Sequence, residues 1–238
     1  MTLQEIRIAE IERLALSFEP MRWPWAEENR VAINAHFQRQ LTTKKIWNGR
    51  VLLLHRYAIK DSVFHGAYFE TDFASFLAWR DWEFPDKQKA NCFSMGALRS
   101  ADGHFLLGRM AKHTANAGKV YFPAGTPDPT DVRDGKVDLA GSVMRELGEE
   151  TGLTPADVTE GPRWQAVITQ NRIALMRPLR ARENTQTLLN RIEAYLAKEK
   201  LPELEGIVSA AGPRDLMPEM PDFVRAYLEY VWATGSMA

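Results

Sequence analysis

The segment Arg145-Glu146-Leu147-Gly148-Glu149-Glu150 places three carboxylates and a guanidinium within six consecutive residues. On a helix, Glu149 and Glu150 lie three and four residues after Glu146 and share its edge. Ala140, Val143 and Leu147 fall on a neighbouring face suited to packing on a sheet. Asp138 stands where an N-cap belongs. Gly152 stands where a helix ends in a left-handed residue. Three glutamates this close repel one another unless solvated or compensated. A charged, solvated helix face has this pattern. So does a site for a hard divalent cation, since Mg²⁺ prefers a few carboxylates with water and substrate phosphate. Arg145 adds a fixed cation able to hold one carboxylate bidentately.

The elements that must position this helix can be read on both sides of it. Residues 92–99 and 104–110 read as strands around Ala101-Asp102-Gly103. A short strand over 119–122 runs into Pro123-Ala124-Gly125, followed by a loop rich in Pro, Asp and Gly up to Asp138. Later strands are expected at 164–169 and 173–179, then a helix over 183–200 with Leu188, Leu189, Ile192 and Leu196 inward. Glu203 and Glu205 directly precede a further strand, and a last helix is expected over 221–232.

Before residue 90 the pattern is different. Thr2-Leu3-Gln4-Glu5 has capping-box spacing, and Ile8, Ile11, Ala15 and Phe18 recur at helical steps, predicting a helix that stops before Pro20. Trp23-Pro24-Trp25 opens a second helix with Ile33, Phe37 and Leu41 as apolar positions. Residues 51–59 and 63–70 read as a hairpin, and Thr71-Asp72 as the cap of a short helix carrying Phe73, Phe76 and Leu77. His55 and His65 read as ordinary strand histidines. A boundary near residue 90 divides an N-terminal α+β region, 1–90, from a second domain, 91–238.

Composition sets the outer limits. The 238 residues carry 30 Lys+Arg against 31 Asp+Glu, which argues against a bulk nucleic-acid binder. Apolar residues make up 45%, with 7 Trp and 11 Phe, enough for a substantial core. The lone Cys92 suits a reducing cytoplasm. No apolar run reaches the ~18 residues of a membrane span. A cytoplasmic protein with no membrane or nucleic-acid partner is expected.

Arg145-Glu146-Leu147-Gly148-Glu149-Glu150-Thr151-Gly152-Leu153 resembles the second half of the Nudix box, R-E-U-x-E-E-x-G-U with U aliphatic, at every fixed position. The first half departs. The motif's Gly and Glu positions, fourteen and eight residues before Arg145, hold Asp131 and Val137. An insertion between Gly125 and Asp138 accounts for this, with Gly125 as the motif glycine and Asp138 or Asp134 near the missing Glu. Asp128, Asp131, Asp134 and Asp138 read as turn residues or as extra metal ligands.

The resemblance implies a Nudix-type mixed sheet sandwiched between helices, with the box helix at about 139–151. It implies hydrolysis of a nucleoside diphosphate linked to another moiety, by water attack on the pyrophosphate. Glu146, Glu149 and Glu150 would ligate Mg²⁺ or Mn²⁺. Glu146 would also help deprotonate water, and Arg145 would hold a glutamate in place. Glu203 or Glu205 would serve as general base. Arg109, His113 and Lys119 are the expected phosphate or nucleotide contacts. Residues 105–125 are similar in spacing to coenzyme A pyrophosphatases, although Met110 and Thr114 replace that pattern's Ser and Arg. Residues 48–50 and 71–82, with the hairpin between, are similar to a branch that hydrolyses UDP-sugars. The aromatic-rich N-terminal region would then form a homodimer or choose the substrate. The alternative is a non-catalytic Nudix-fold module that binds nucleotide without turnover.

Overall fold

A computed structural model describes residues 6–235. In chain order the elements are β1 (Arg7–Ile11), β2 (Arg13–Phe18), α1 (Pro24–Glu28), α2 (Arg30–Leu41), β3 (Arg50–Lys60), β4 (Val63–Asp72), α3 (Phe73–Asp81), β5 (Asn91–Arg99), β6 (Phe105–Met110), β7 (Val120–Tyr121), β8 (Val132–Arg133), β9 (Lys136–Val137), α4 (Leu139–Thr151), β10 (Val158–Glu160), β11 (Trp164–Ile168), β12 (Arg172–Ala181), α5 (Thr185–Leu196), β13 (Leu204–Ala210) and α6 (Asp222–Thr234).

The larger sheet runs β1-β11-β12-β5-β6-β13, with β10 beside β12 and β7 beside β6. The β5–β12 pair is parallel, while the pairs β1–β11, β11–β12 and β6–β13 are antiparallel, so the sheet is mixed. Strand β5 is buried on both faces, which explains its nearly continuous small and apolar sequence. Cys92 and Leu98 join one core with Val143 and Leu147 of α4 and Leu188 and Ile192 of α5. Phe93, Met95 and Ala97 point the other way, into a core with Phe223, Val224 and Tyr227 of α6. The sheet therefore lies between helices on both faces.

The smaller sheet runs β3-β4-β2-β9-β8. One face, through Leu52, Leu54 and Phe64, joins the α4 core. The other, through Val51, Leu53 and Phe69, packs with Trp23, Ile33, Phe76 and Trp79 of the N-terminal helices and the turns beside them. Asp72 caps α3, accepting from the Ser75 amide at 2.9 Å. The helix expected from Trp23 is interrupted at Asn29, giving α1 and α2.

The helix expected before Pro20 is instead the strand pair β1 and β2, and its capping box lies outside the described residues. β1 pairs with β11 and β2 with β4. Leu14, Leu16 and Phe18 share one face and pack on the same core, a period of two that competes with the helical spacing. β-Branched Ile6, Ile8 and Ile11 add strand preference, and pairing to waiting strands decides the outcome. The loop expected up to Asp138 also carries more structure. A 3₁₀ turn at Pro129–Asp131 precedes the β8–β9 ribbon, and Lys136 of β9 pairs with Ser17 of β2. The two stretches of chain thus exchange strands: β1 sits in the larger sheet and β8–β9 in the smaller. Among the described residues no helix is long and apolar enough to cross a membrane.

Candidate active site

The carboxylate helix is α4. Asp138 caps it, accepting from the Gly141 amide at 2.9 Å. Gly152 ends it at φ +69°, where a Cβ would meet the Tyr195 ring at 2.5 Å. Leu139, Val143 and Leu147 are buried against the sheet, which turns the glutamate edge toward the Pro123–Gly125 turn. That turn is anchored by the Gly96 amide, 3.0 Å from the Pro123 carbonyl oxygen. Gly125 comes so close that a Cβ there would sit 2.1 Å from Glu146 Oε1.

Arg145 holds three carboxylates at once. Its Nη1 donates to Glu146 Oε1 at 2.6 Å and to Glu149 Oε2 at 3.4 Å. Its Nη2 donates to Asp131 Oδ1 at 3.2 Å and Oδ2 at 3.4 Å. Asp131 is buried, and its side chain also accepts from the Asp128 amide at 3.1 Å. Of the loop aspartates expected near the missing motif Glu or as extra ligands, Asp131 is the one that meets Arg145, and Asp134 and Asp138 do not. Asp134 is exposed at a turn with φ +49°, and Asp138 is engaged as the helix cap. Counting along the chain missed this because the 3₁₀ turn and ribbon fold back, tying the Asp138 amide to the Asp131 carbonyl oxygen at 2.8 Å. Asp128 caps the 3₁₀ turn.

Beside α4 lies a cavity of about 140 Å³ lined by Glu146, Glu149, Glu150, Glu199 and Glu203 with Leu196, Leu201 and Pro202. Glu150 is 5% exposed, and neither carboxylate oxygen makes a hydrogen bond. The Ala124 amide nearby favours its charged form. Burial and the charges of Glu146 and Glu203 outweigh that and hold the Glu150 carboxyl well above the usual range. Glu146 is pushed up to about 7, mainly by burial, with Glu149 and Glu203 adding and Arg145 opposing. Uncompensated buried carboxylates are costly, and they call for a cation.

The donor set suits a divalent metal: hard oxygen ligands from several carboxylates around a small cavity. Among the described residues no three His, Cys, Asp or Glu side chains are already gathered at ligating geometry. The orphaned oxygens of Glu150 and the crowding at Glu146 show that the chemistry of the site fits such an ion.

Of the two general-base candidates, Glu203 joins the cluster and Glu205 does not line the cavity. The register of β13 slips between Leu204 and Gly206, leaving Glu205 in a bulge. Glu199 was not anticipated. Nothing in its local sequence marks it, and only the return of the chain after α5 brings it to the cavity.

A second, larger cavity of about 680 Å³ meets the site at Ala124, Gly125 and Thr126. Its floor includes Asn91, Phe93 and Met95 of β5, and α3 adds Phe73, Phe76 and Arg80. Lys119 lines it, whereas Arg109 and His113 do not. Arg109 lies in β6 between β7 and β13, with its Nη2 3.9 Å from the Met217 sulfur. The His113 carbonyl oxygen accepts from the Lys45 amide at 3.1 Å.

The NUDIX domain family model matches residues 93–211, half of the chain. No curated protein matches. Among solved structures, a MutT protein from Methanosarcina mazei Go1 is 21% identical, covering 61% of this chain and 95% of that one at a TM-score of 0.40. RenU, a Nudix hydrolase from M. smegmatis, is 14% identical, covering 62% and 86% at 0.38. The Bacillus subtilis pyrophosphohydrolase BsRppH is 11% identical, covering 81% and 100% at 0.38. The family match spans the larger sheet apart from β1, the turn at Gly125 and the carboxylate helix, and with it this chain belongs to the NUDIX family of hydrolases.

Proposed function

We propose that the protein hydrolyses a nucleoside diphosphate linked to another moiety, with water attacking the pyrophosphate and Mg²⁺ or Mn²⁺ held by Glu146, Glu149 and Glu150. The observation that carries this is the buried Glu150 carboxylate, without a hydrogen-bond partner, beside Glu146 in a cavity rimmed by glutamates. When bound, the cation would neutralise pyrophosphate oxygens and acidify water. Arg145 fixes Glu146 through one nitrogen while Asp131 braces the other. Glu203 is the best-placed side chain to accept the proton from water. Gly125 lets the Pro123–Gly125 turn approach Glu146 without a side chain between them.

The N-terminal region serves substrate choice, because Phe73, Phe76 and Arg80 line the larger cavity. UDP-sugars head the substrate list, followed by ADP-ribose, coenzyme A and dinucleotides. A cytoplasmic setting fits the buried thiol of Cys92. The test is Mg²⁺-dependent cleavage of that panel by the wild type and by Glu149→Gln and Glu150→Gln. Cleavage of at least one member, lost in both variants, is expected. Nucleotide binding with no cleavage would overturn the hydrolase reading, and full activity in both variants would overturn the metal assignment.

A further inference from the structure

The larger cavity has a cationic end remote from the glutamates. Arg172 opens β12 and is paired in register with Asn91, the first residue of β5. The Pro123–Gly125 turn is anchored at Gly96 of the same strand. Five residues of extended chain separate the two anchor points, roughly 16 Å. Asn91, Phe93 and Met95 line the cavity between them. An isolated pyrophosphate does not span that distance. A nucleoside diphosphate bearing a second group does.

Arg172 is half-buried with its guanidinium 5.6 Å from the Phe84 ring centre and 5.5 Å from that of Phe223. Among the described residues it makes no ion pair and no side-chain hydrogen bond. The two carboxylates lining the cavity are engaged elsewhere. Asp222 pairs with Arg225. Asp81 pairs with His36 at 2.9 Å and with Arg80 at 3.0 Å. Lys44 and Lys119 also line the cavity and have no carboxylate partner among the described residues. The backbone holds this arrangement at some expense. Phe84 sits at φ +59°, a strained value for a non-glycine residue, fixed by its amide donating to the Trp79 carbonyl oxygen at 2.8 Å. Burial and the nearby Arg80 both disfavour the Arg172 charge, and the Asp222 carboxylate, held by Arg225, offsets them only in part. A half-buried cation between two aromatic rings, with no hydrogen-bonded partner, is most stable opposite an oxyanion.

We propose that the substrate carries a second oxyanion, a phosphate or a carboxylate, on the part remote from the scissile pyrophosphate, and that Arg172 recognises it with Lys119 and Lys44 in support. This rests on the reading that the glutamate end receives the pyrophosphate.

Two ligand pairs that differ at such a group test it: coenzyme A against 3′-dephospho-coenzyme A for the phosphate, and UDP-glucuronate against UDP-glucose for the carboxylate. Binding is measured by calorimetry on Glu150→Gln protein, so that turnover is not required, and cleavage is followed separately on the wild type. In at least one pair the anionic member should bind about tenfold tighter or more. That ratio should collapse with Glu150→Gln/Arg172→Met and survive in part with Glu150→Gln/Arg172→Lys. Glu150→Gln/Lys119→Gln, altered at an exposed position that does not threaten folding, should shrink it by a smaller factor. Equal binding within both pairs, no binding of any member at millimolar concentration, or a ratio untouched by Arg172→Met in folded protein would each overturn the inference. Anion preference without cleavage would support it while defeating the hydrolase reading. Cleavage without anion preference would do the reverse.

Discussion

The two ends of the cleft are unbalanced in opposite senses. At the α4 end, one guanidinium, Arg145, serves three carboxylates, and Glu150 has no cationic partner among the described residues. At the β12 end, the Arg172 guanidinium lies between two aromatic rings and makes no ion pair among the described residues, the nearby Asp222 being paired with Arg225. A fold left to itself pairs its buried charges. Here the acidic end carries more carboxylates than its one guanidinium can serve, and the basic end carries a guanidinium that no carboxylate pairs with among the described residues. A metal complex of a doubly anionic nucleotide supplies a cation to the first and an anion to the second, in the right order along β5. The difference teaches that the Arg145 ion pairs do not balance the acidic end and that Arg172 does not balance it from the other end, so each end can be broken separately.

The acidic end should show the largest effect. Glu150→Gln should reduce Mg²⁺-dependent turnover by about a hundredfold to a thousandfold, the range seen when one electrostatic partner of the transition state is lost. In metal-free protein at pH 8 the same change should raise the melting temperature, because a neutral amide replaces a carboxylate crowded by Glu146 and Glu203. A fall in both quantities would mean that Glu150 is simply a packing residue.

Gly125→Ala comes next. Its Cβ would lie 2.1 Å from Glu146 Oε1. A carboxylate is the far end of a flexible side chain, so Glu146 should swing aside, leaving the melting temperature nearly unchanged. Displacing it by about 1 Å should cost roughly a hundredfold in kcat. Activity within twofold of wild type would show that Glu146 need not stand where the structure places it. Asp131→Ala removes the brace on Arg145 and the acceptor of the Asp128 amide in the 3₁₀ turn. A tenfold to hundredfold loss of activity is expected, about that of other residues that orient a ligand side chain, with about 1–3 kcal/mol of stability lost from the unpaired partner. Chemical denaturation and initial rates check the two parts.

The smallest effect is one of linkage. In the metal-free fold Glu146 is pushed up to about 7 and Glu150 is also held well above the usual range, whereas in the unfolded chain both titrate near 4.3. Between those values the native state binds more protons than the unfolded state, so stability falls as pH rises. The melting temperature in chelator should therefore drop from pH 5 to pH 8, and saturating Mg²⁺ should flatten that slope. The slope should be shallower in Glu150→Gln. A slope that Mg²⁺ leaves unaltered would place the cation elsewhere.

These two ends also differed in how far the sequence disclosed them. Glu146, Glu149 and Glu150 lie on one helix at fixed spacing, and local geometry alone puts them on one edge. The bounds of α4, its Asp138 cap and its Gly152 terminus follow from the same local rules. Asp131 and Glu199 are different. Each reaches the site through a chain reversal whose direction no local pattern encodes. Arg172 is the extreme case, because its rings come from the loop after α3 and from α6. The first strands were misread for a related reason. Residues 7–18 satisfy both a helical and an alternating pattern, and the free strand edges of β11 and β4, distant in sequence, select between them.

The central claim is metal-dependent attack of water on phosphorus. It is tested most directly by following the substrate panel with Mg²⁺ in ¹⁸O-labelled water by phosphorus NMR. The account predicts two phosphate-ester products from at least one member, with a single ¹⁸O on one phosphorus and no reaction when the metal is chelated. No cleavage of any member, or label found on carbon, would contradict it.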